Sequence, residues 1–162
     1  MEHQVTIGER EATLVVTKRV STTVAGIGGV LGRAFGEVYG SLAAGGAAPD
    51  GPPFVIYHGS PATGEPFDVE ICAPVARRVE PPPGWRTEEL PAGTFLTLLH
   101  VGPYEALGAA YATLQAWVAT HDLTVTGPPR EVYLSEPGTP PAATRTIIEF
   151  PVATAPRPVA HG

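Results

Sequence analysis

Cysteine is almost absent from this chain: Cys72 is the only one in 162 residues. A single thiol excludes an internal disulfide framework and a thiolate metal cluster, and it fits a reducing compartment. Charge is scarce as well, at 16% of residues, and no basic run is longer than Lys18-Arg19 or Arg77-Arg78. Sixteen acidic against ten basic residues give a net charge of −6. No basic patch is available to release counterions from a phosphate backbone, so direct nucleic-acid binding is not expected. No stretch approaches the ~20 apolar residues of a membrane helix. Met1-Glu2-His3-Gln4 lacks the charged segment and apolar run of a signal peptide. The expectation is a cytoplasmic protein with no membrane partner. His3, His58, His100, His121 and His161 lack metal-ligand spacing, so neither a metal nor another cofactor is expected. There is no Gly-x-Ser-x-Gly elbow, and Gly26-x-Gly28-x-x-Leu31-Gly32 misses the dinucleotide fingerprint by one position. It reads as helix packing instead.

What is present is turn-forming and apolar: 19 Gly, 19 Pro and 43% hydrophobic residues. That composition argues against an all-helical fold and is sufficient for one packed domain. The chain also repeats itself at an offset of 76 residues. Gly26, Leu31, Gly32, Ala34, Phe35 and Val38 meet Gly102, Leu107, Gly108, Ala110, Tyr111 and Leu114. Gly51-Pro52-Pro53 meets Gly127-Pro128-Pro129, and Tyr57 meets Tyr133. One residue later in register, Ile71, Pro74 and Val75 meet Ile148, Pro151 and Val152. Two copies are too few for a solenoid. They fit two halves packed about a pseudo-twofold axis, with a groove along it.

Each half reads strand, helix, strand, strand. In the first, Leu14–Val24 is extended, and Leu31, Phe35, Val38 and Leu42 make one face of a helix from Gly26 to about Ala44. Phe54–His58 and Phe67–Ala73 form a hairpin. Six glycines between Gly26 and Gly40 weaken the helix, and tight packing on the sheet would account for some. In the second half, Thr94–Val101 is a strand and Tyr104, Leu107, Tyr111, Leu114 and Val118 an apolar stripe widened by Trp117. Arg130–Leu134 and Thr144–Phe150 close it. The predicted fold is α+β: a tandem repeat with antiparallel sheets around a central ligand groove and a helix outside each half. We expect one domain over 1–152, with halves at about 12–79 and 85–152, a Pro-rich linker at 80–84, and a disordered tail at 153–162. Val5–Ile7 is a candidate extra strand.

The order His-Val-Gly-Pro-Tyr-Glu-Ala-Leu at 100–107, then Tyr111, Leu114 and Trp117, Gly127-Pro128, Glu131-Val132-Tyr133-Leu134 and Pro151-Val152 resembles the GyrI-like small-molecule-binding domain. That domain is also the effector-binding module of BmrR- and AraC-type regulators. The resemblance covers roughly residues 12–152 and implies a tandem strand–helix–strand–strand fold, as the repeat does. In regulators a DNA-binding region precedes the domain. Only about ten residues precede it here, so a stand-alone binding module is expected.

Glu131 is the leading site residue. Alternation puts Glu131 and Tyr133 on one strand face and Val132 and Leu134 on the other. The apolar pair is expected to meet the helices, and the Glu131 face to line the groove. From the pattern alone, a solvated carboxylate is an equal reading. The resemblance implies an acidic side chain inside the cavity at this position. The first copy carries Val55 there, which makes the groove asymmetric. Tyr57 and Tyr133 are expected to face each other across the dyad. Aromatic walls with one carboxylate suit a flat, lipophilic cation. Tyr104 and Leu107, near the helix start, are expected to reach the groove. Further candidates are Glu149 and Cys72, by alternation on Glu131's face, Tyr111, and Trp85 as a lid. Glu70 is expected in solvent, and His100 as a structural histidine.

The leading function is binding or sequestration of hydrophobic aromatic or cationic small molecules, including drugs and toxins. The resemblance also implies an alternative: hydrolysis of strained cyclopropane-containing natural products, with Glu131 as general acid or base. A third reading is a partner protein, as an inhibitor of a topoisomerase.

Overall fold

The computed structural model describes residues 4–59, 64–136 and 138–154. The expected tail, apart from Ala153 and Thr154, lies outside them. Among the described residues, nine strands and two α-helices are formed: β1 (Val5–Arg10), β2 (Thr13–Thr22), α1 (Ile27–Ala44), β3 (Phe54–Tyr57), β4 (Phe67–Pro74), β5 (Arg86–Leu90), β6 (Gly93–Val101), α2 (Leu107–Thr120), β7 (Leu123–Val125), β8 (Arg130–Tyr133) and β9 (Arg145–Thr154). All strand pairs are antiparallel and belong to one sheet ordered β1-β6-β9-β8-β3-β4-β2-β5, with β7 on β9. The repeat is realised as β2-α1-β3-β4 and β6-α2-β8-β9.

The two halves join at β3 and β8. Phe54 pairs with Val132, Val55 with Glu131, and Ile56 with Arg130. Because Val55 and Glu131 are repeat mates, the pseudo-dyad passes between them. The backbone obeys it: Tyr57 N–H donates to Pro129 O at 3.0 Å, and Tyr133 N–H donates to Pro53 O at 3.1 Å. The Gly-Pro-Pro triplets thus end in the acceptors that lock the halves together.

Val5–Ile7 does form part of a strand, and its pairing crosses the dyad. β1 precedes the first half but pairs with β6 of the second, while β5 precedes the second and pairs with β2 of the first. The sequence reading missed β5 and β7. β5, Arg-Thr-Glu-Glu-Leu, is charged and sits at a sheet edge, where unpaired backbone tolerates polar residues.

Both helices pack on one sheet face. Val38 and Leu42 of α1 cluster with Val16, Val55, Val69, Ile71 and Ala73, and Leu107, Ala110 and Leu114 of α2 cluster with Leu96, Leu98, Ile148 and Phe150. This is the face of Val55 and Glu131, so the expectation that Val132 and Leu134 meet the helices is overturned. Val132 instead joins Val15, Phe54, Ile56, Cys72 and Leu90 in a core on the opposite face, with Leu134 packed against it. Both faces of the inner strands are buried, and alternation then cannot say which face carries helices. The helices border the groove rather than standing outside it. Tight packing does not explain the α1 glycines: a Cβ at Gly28, Gly32, Gly36 or Gly40 would meet nothing within 4 Å.

Candidate functional site

Between the helices, on the Glu131 face, lies a cavity of about 630 Å³. Its floor is Glu131 and Tyr133 of β8 with Tyr57 of β3, and its walls come from the start of both helices. Leu31 and Leu107, repeat mates, both line it. So do Gly28 and Tyr104, again mates. On the α1 side the cavity runs along Phe35 and Tyr39 to Pro53, and Ser135, Glu136, Gly138, Thr139 and Thr144 of the β8–β9 connection border it.

Glu131 is buried, 8% exposed as a residue, and its carboxylate is held by phenols. Tyr111 Oη donates to Oε2 at 2.6 Å, and Tyr133 Oη donates to Oε1 at 3.0 Å. Tyr57 and Tyr133 Oη are 2.7 Å apart. A phenol has one proton and Tyr133 gives its own to Glu131, so Tyr57 is the donor in that pair. Burial, reinforced by the nearby Glu131 charge, pushes the Tyr57 and Tyr111 hydroxyls well above the usual phenol range. Burial also pushes Tyr133 up, with Tyr57 and Glu131 adding to it. All three therefore stay protonated donors. Tyr104, half-exposed, stands edge-on to Tyr133 with ring centroids 6.0 Å apart, and burial and Glu131 raise its hydroxyl too. Phe35 meets Tyr133 edge-on from the other side at 6.4 Å.

Among the described residues, no Lys, Arg or His forms an ion pair with Glu131. The two other buried carboxylates do have cations: Glu149 pairs with Arg10, and Glu70 with Arg86, while His58 Nε2 lies 3.0 Å from the other Glu70 oxygen. The neighbouring Arg130 points to the opposite face, its guanidinium 4.5 Å from the Phe95 ring centroid and 5.3 Å from that of Phe54. A second unusual group is the Tyr39 hydroxyl. It is buried, has no hydrogen-bond partner among the described residues, and burial pushes it up to about 12.

The structure brings Tyr57, Glu131, Tyr133, Tyr104 and Leu107 together at this cavity. Val55 is fully buried beneath α1 and does not line it. Tyr111 reaches the carboxylate from α2 without lining this chamber. Glu149 and Cys72 do not share Glu131's face. Cross-strand partners point to the same side; Glu131 pairs with Ile148, Glu149 with Arg130 and Cys72 with Phe54, so both lie behind the sheet. Burial pushes the Cys72 thiol up to about 12. Trp85 is not a lid: it packs in the α1 core and its Nε1–H donates to Glu37 Oε1 at 2.6 Å. Glu70 is buried rather than in solvent, where Thr17 also donates to it at 3.0 Å. His100 is buried, with Nε2 3.2 Å from Pro103 O. The sequence reading placed Leu31 and Phe35 on the apolar face of the first helix and not among the site candidates. Their repeat mates, Leu107 and Tyr111, already stood among the site candidates, and the dyad could have carried that assignment across. Among the described residues no cluster of His, Cys, Asp or Glu could hold a metal ion, and no helix is long and apolar enough to cross a membrane.

A duplicated α+β unit with an aromatic cavity on its dyad is the architecture of a small-molecule-binding module. The chain belongs to the GyrI-like small molecule binding domain family, whose model matches residues 3–153. No curated protein matches the chain. Among solved structures, the EcmrR C-terminal domain is 26% identical with a TM-score of 0.84, over 96% of this chain and 100% of that one. Against EcmrR in its DNA-bound transcription complex the identity is again 26% and the TM-score 0.83, over 94% of this chain. There the chain spans only 58% of the EcmrR chain. SAV2435 bound to tetraphenylphosphonium shares the fold at 13% identity, with a TM-score of 0.65 over 94% of each chain. A hydrolase from Listeria innocua does so at 14% identity, with a TM-score of 0.65 over 93% of this chain and 92% of that one.

Proposed function

We propose that this domain binds hydrophobic aromatic cations in the cavity on its dyad, with Glu131 as their counter-charge. The observation that carries the reading is the buried Glu131 carboxylate without a cationic partner among the described residues. A buried charge is costly unless paired, and two phenol hydrogen bonds satisfy its lone pairs without neutralising it. A lipophilic cation supplies the missing charge, and the faces of Phe35, Tyr104 and Tyr133 attract it further. The solved complex of SAV2435 with tetraphenylphosphonium supports the reading by fold analogy.

The test is calorimetric titration with tetraphenylphosphonium and with an uncharged aromatic of similar size. We expect micromolar binding of the cation. Glu131→Gln keeps the shape and weakens the cation by about 1–3 kcal/mol, leaving the neutral compound nearly unchanged. Equal cation affinity in wild type and variant overturns the reading.

Tyr111, Glu131, Tyr133 and Tyr57 also form a continuous proton path, and this favours the hydrolase reading as the alternative. Glu131 would take a proton from water as the water oxygen bonds to a strained ring carbon. The carbon released by ring opening would take a proton in return.

A further inference from the structure

The pseudo-dyad builds a second chamber. A cavity of about 760 Å³ lies on the α2 side of Glu131, lined by Tyr111, Gln115, Phe150 and the Gly127-Pro128-Pro129 triplet. Its residues are the repeat mates of the α1 arm of the first cavity: Tyr111 of Phe35, Gln115 of Tyr39, and Pro129 of Pro53. Tyr57 and Glu131 border both chambers.

One substitution in the repeat separates them. Phe35 has no hydroxyl and leaves the first chamber open along α1. At the mate position Tyr111 donates to Glu131 at 2.6 Å, tying α2 to the sheet. Together with Tyr57 it stands between the two spaces. The carboxylate oxygen on this side accepts from Tyr111 as the other accepts from Tyr133, so its single charge is common to both chambers. The other polar groups here are neutral or already engaged: the Gln115 amide is exposed, and His58 pairs with Glu70 on the opposite face. Aromatic surface remains, with Tyr111 and Phe150 inclined at 40° and 5.9 Å apart.

We propose that this chamber is a second ligand site for an uncharged planar aromatic molecule, filled at the same time as a cation in the first. One carboxylate serves both chambers, so only one occupant carries a positive charge. Two cations would share a single counter-charge and repel each other. The neutral ligand lies on the Tyr111 and Phe150 rings, with the Gln115 amide as its polar contact. Only this cation arm rests on the reading of Glu131 given above.

Glycines allow each chamber to be filled separately. Gly108 lines the second chamber and Gly28 the first, and a Cβ at either would meet nothing within 4 Å. Both are exposed helical positions where a larger residue raises helix propensity. The experiment is fluorescence titration of the neutral dye Nile red, with and without saturating tetraphenylphosphonium. We expect Nile red to bind alongside the cation. Gly108→Phe, or Gln115→Trp at an exposed position, should weaken this Nile red binding about ten-fold or more and leave tetraphenylphosphonium within about two-fold. Gly28→Phe should do the reverse. Full displacement of Nile red by tetraphenylphosphonium, no Nile red binding, or indifference to both α2 variants overturns the proposal. If tetraphenylphosphonium does not bind at all, the counter-charge reading fails by itself. The second chamber then stands or falls on Nile red responding to Gly108→Phe but not to Gly28→Phe.

Discussion

Val55 and Glu131 are Cα partners at the centre of the sheet and mates in the internal repeat. Duplication would place like residues in contact on the dyad, and two carboxylates there would repel and leave one protonated. With valine in one half, a single charge stands at the centre of a nearly symmetric aromatic frame. The asymmetry propagates outward. Tyr111 reaches Glu131, while its mate Phe35 packs edge-on to Tyr133. One polar substitution per pair converts a symmetric scaffold into a cavity with direction.

The three phenols near this axis should respond differently to loss of the hydroxyl. Tyr133→Phe removes a bond to a buried carboxylate and orphans Tyr57, so we expect a loss of about 1.5–3 kcal/mol in urea unfolding. Tyr57→Phe removes only the last link of the chain and should cost about 0.5–1.5 kcal/mol. Tyr39→Phe removes a buried hydroxyl without a partner among the described residues, and should be neutral or stabilising by up to about 1 kcal/mol. A larger loss for Tyr39→Phe than for Tyr133→Phe contradicts the geometry.

Alkaline pH should unfold the domain early. Tyr57, Tyr111 and Tyr133 have hydroxyls raised in the folded state above their unfolded value of about 10. Below that value the groups are neutral in both states and their contribution is complete. Above it the unfolded chain loses protons that the folded chain keeps, so stability falls by about 1.4 kcal/mol per pH unit per phenol. Urea midpoints should hold steady through neutral pH and decline above about pH 10. Tyrosinate absorbance should appear together with unfolding. Tyrosinate forming in a still-folded Tyr104→Phe variant near pH 10, where the half-exposed phenol is removed, would show that these phenols are not buried as described.

The inner architecture was legible in sequence because it repeats. Leu31 and Leu107, the Gly-Pro-Pro triplets, and Tyr57 with Tyr133 fixed one register, and the structure keeps it. Of the outer strands, only Val5–Ile7 of β1 was legible, and no partner was assigned to it. β1 and β5 each pair with the other half, a long-range choice that local pattern does not encode, and charged β5 lacks strand-like alternation. The choice of face failed for another reason. Val132 and Cys72 occupy a second core made by strands alone, so apolar character marked both sides of β8 and β4. Glu149 then looked like a partner of Glu131, although Arg10 claims it behind the sheet.

That exchange of edge strands has an energetic consequence. Arg10 on β1 pairs with Glu149 of the second half, whose side chain is 7% exposed, whereas the Arg19–Asp68 pair is 50% and 45% exposed. Arg10→Ala strands a buried carboxylate. We expect a loss of about 1–3 kcal/mol, below the full cost of breaking a buried pair because Arg10 itself is half-exposed. Arg19→Ala should cost no more than about 1 kcal/mol. Thermal unfolding of the two variants at equal salt checks the order, and equal effects would mean that β1 docking does not depend on this pair.

Turnover decides between a binder and an enzyme. Hydrolysis of ordinary esters, amides or phosphates needs an activated nucleophile or a bound metal. Among the described residues there is no metal cluster. Cys72 is buried behind the sheet, its thiol pushed up to about 12, and Thr17 rather than a histidine lies beside its sulfur at 3.5 Å. We therefore expect no turnover of such substrates. A strained cyclopropane asks for less, because ring strain supplies much of the driving force and one positioned carboxylate with a proton donor is enough. Here Glu131 and Tyr111 stand at hydrogen-bond distance, so this substrate class is the critical one. The measurement is loss of a cyclopropane-bearing alkylating compound with wild type, Glu131→Gln and Tyr111→Phe. For a binder we expect a stoichiometric complex and no loss beyond the uncatalysed rate. Multiple turnovers by wild type that vanish in Glu131→Gln would make the cavity an active site and passive binding the wrong reading. Turnover that survives Glu131→Gln but not Tyr111→Phe would move the chemistry to the phenol and leave Glu131 as its support.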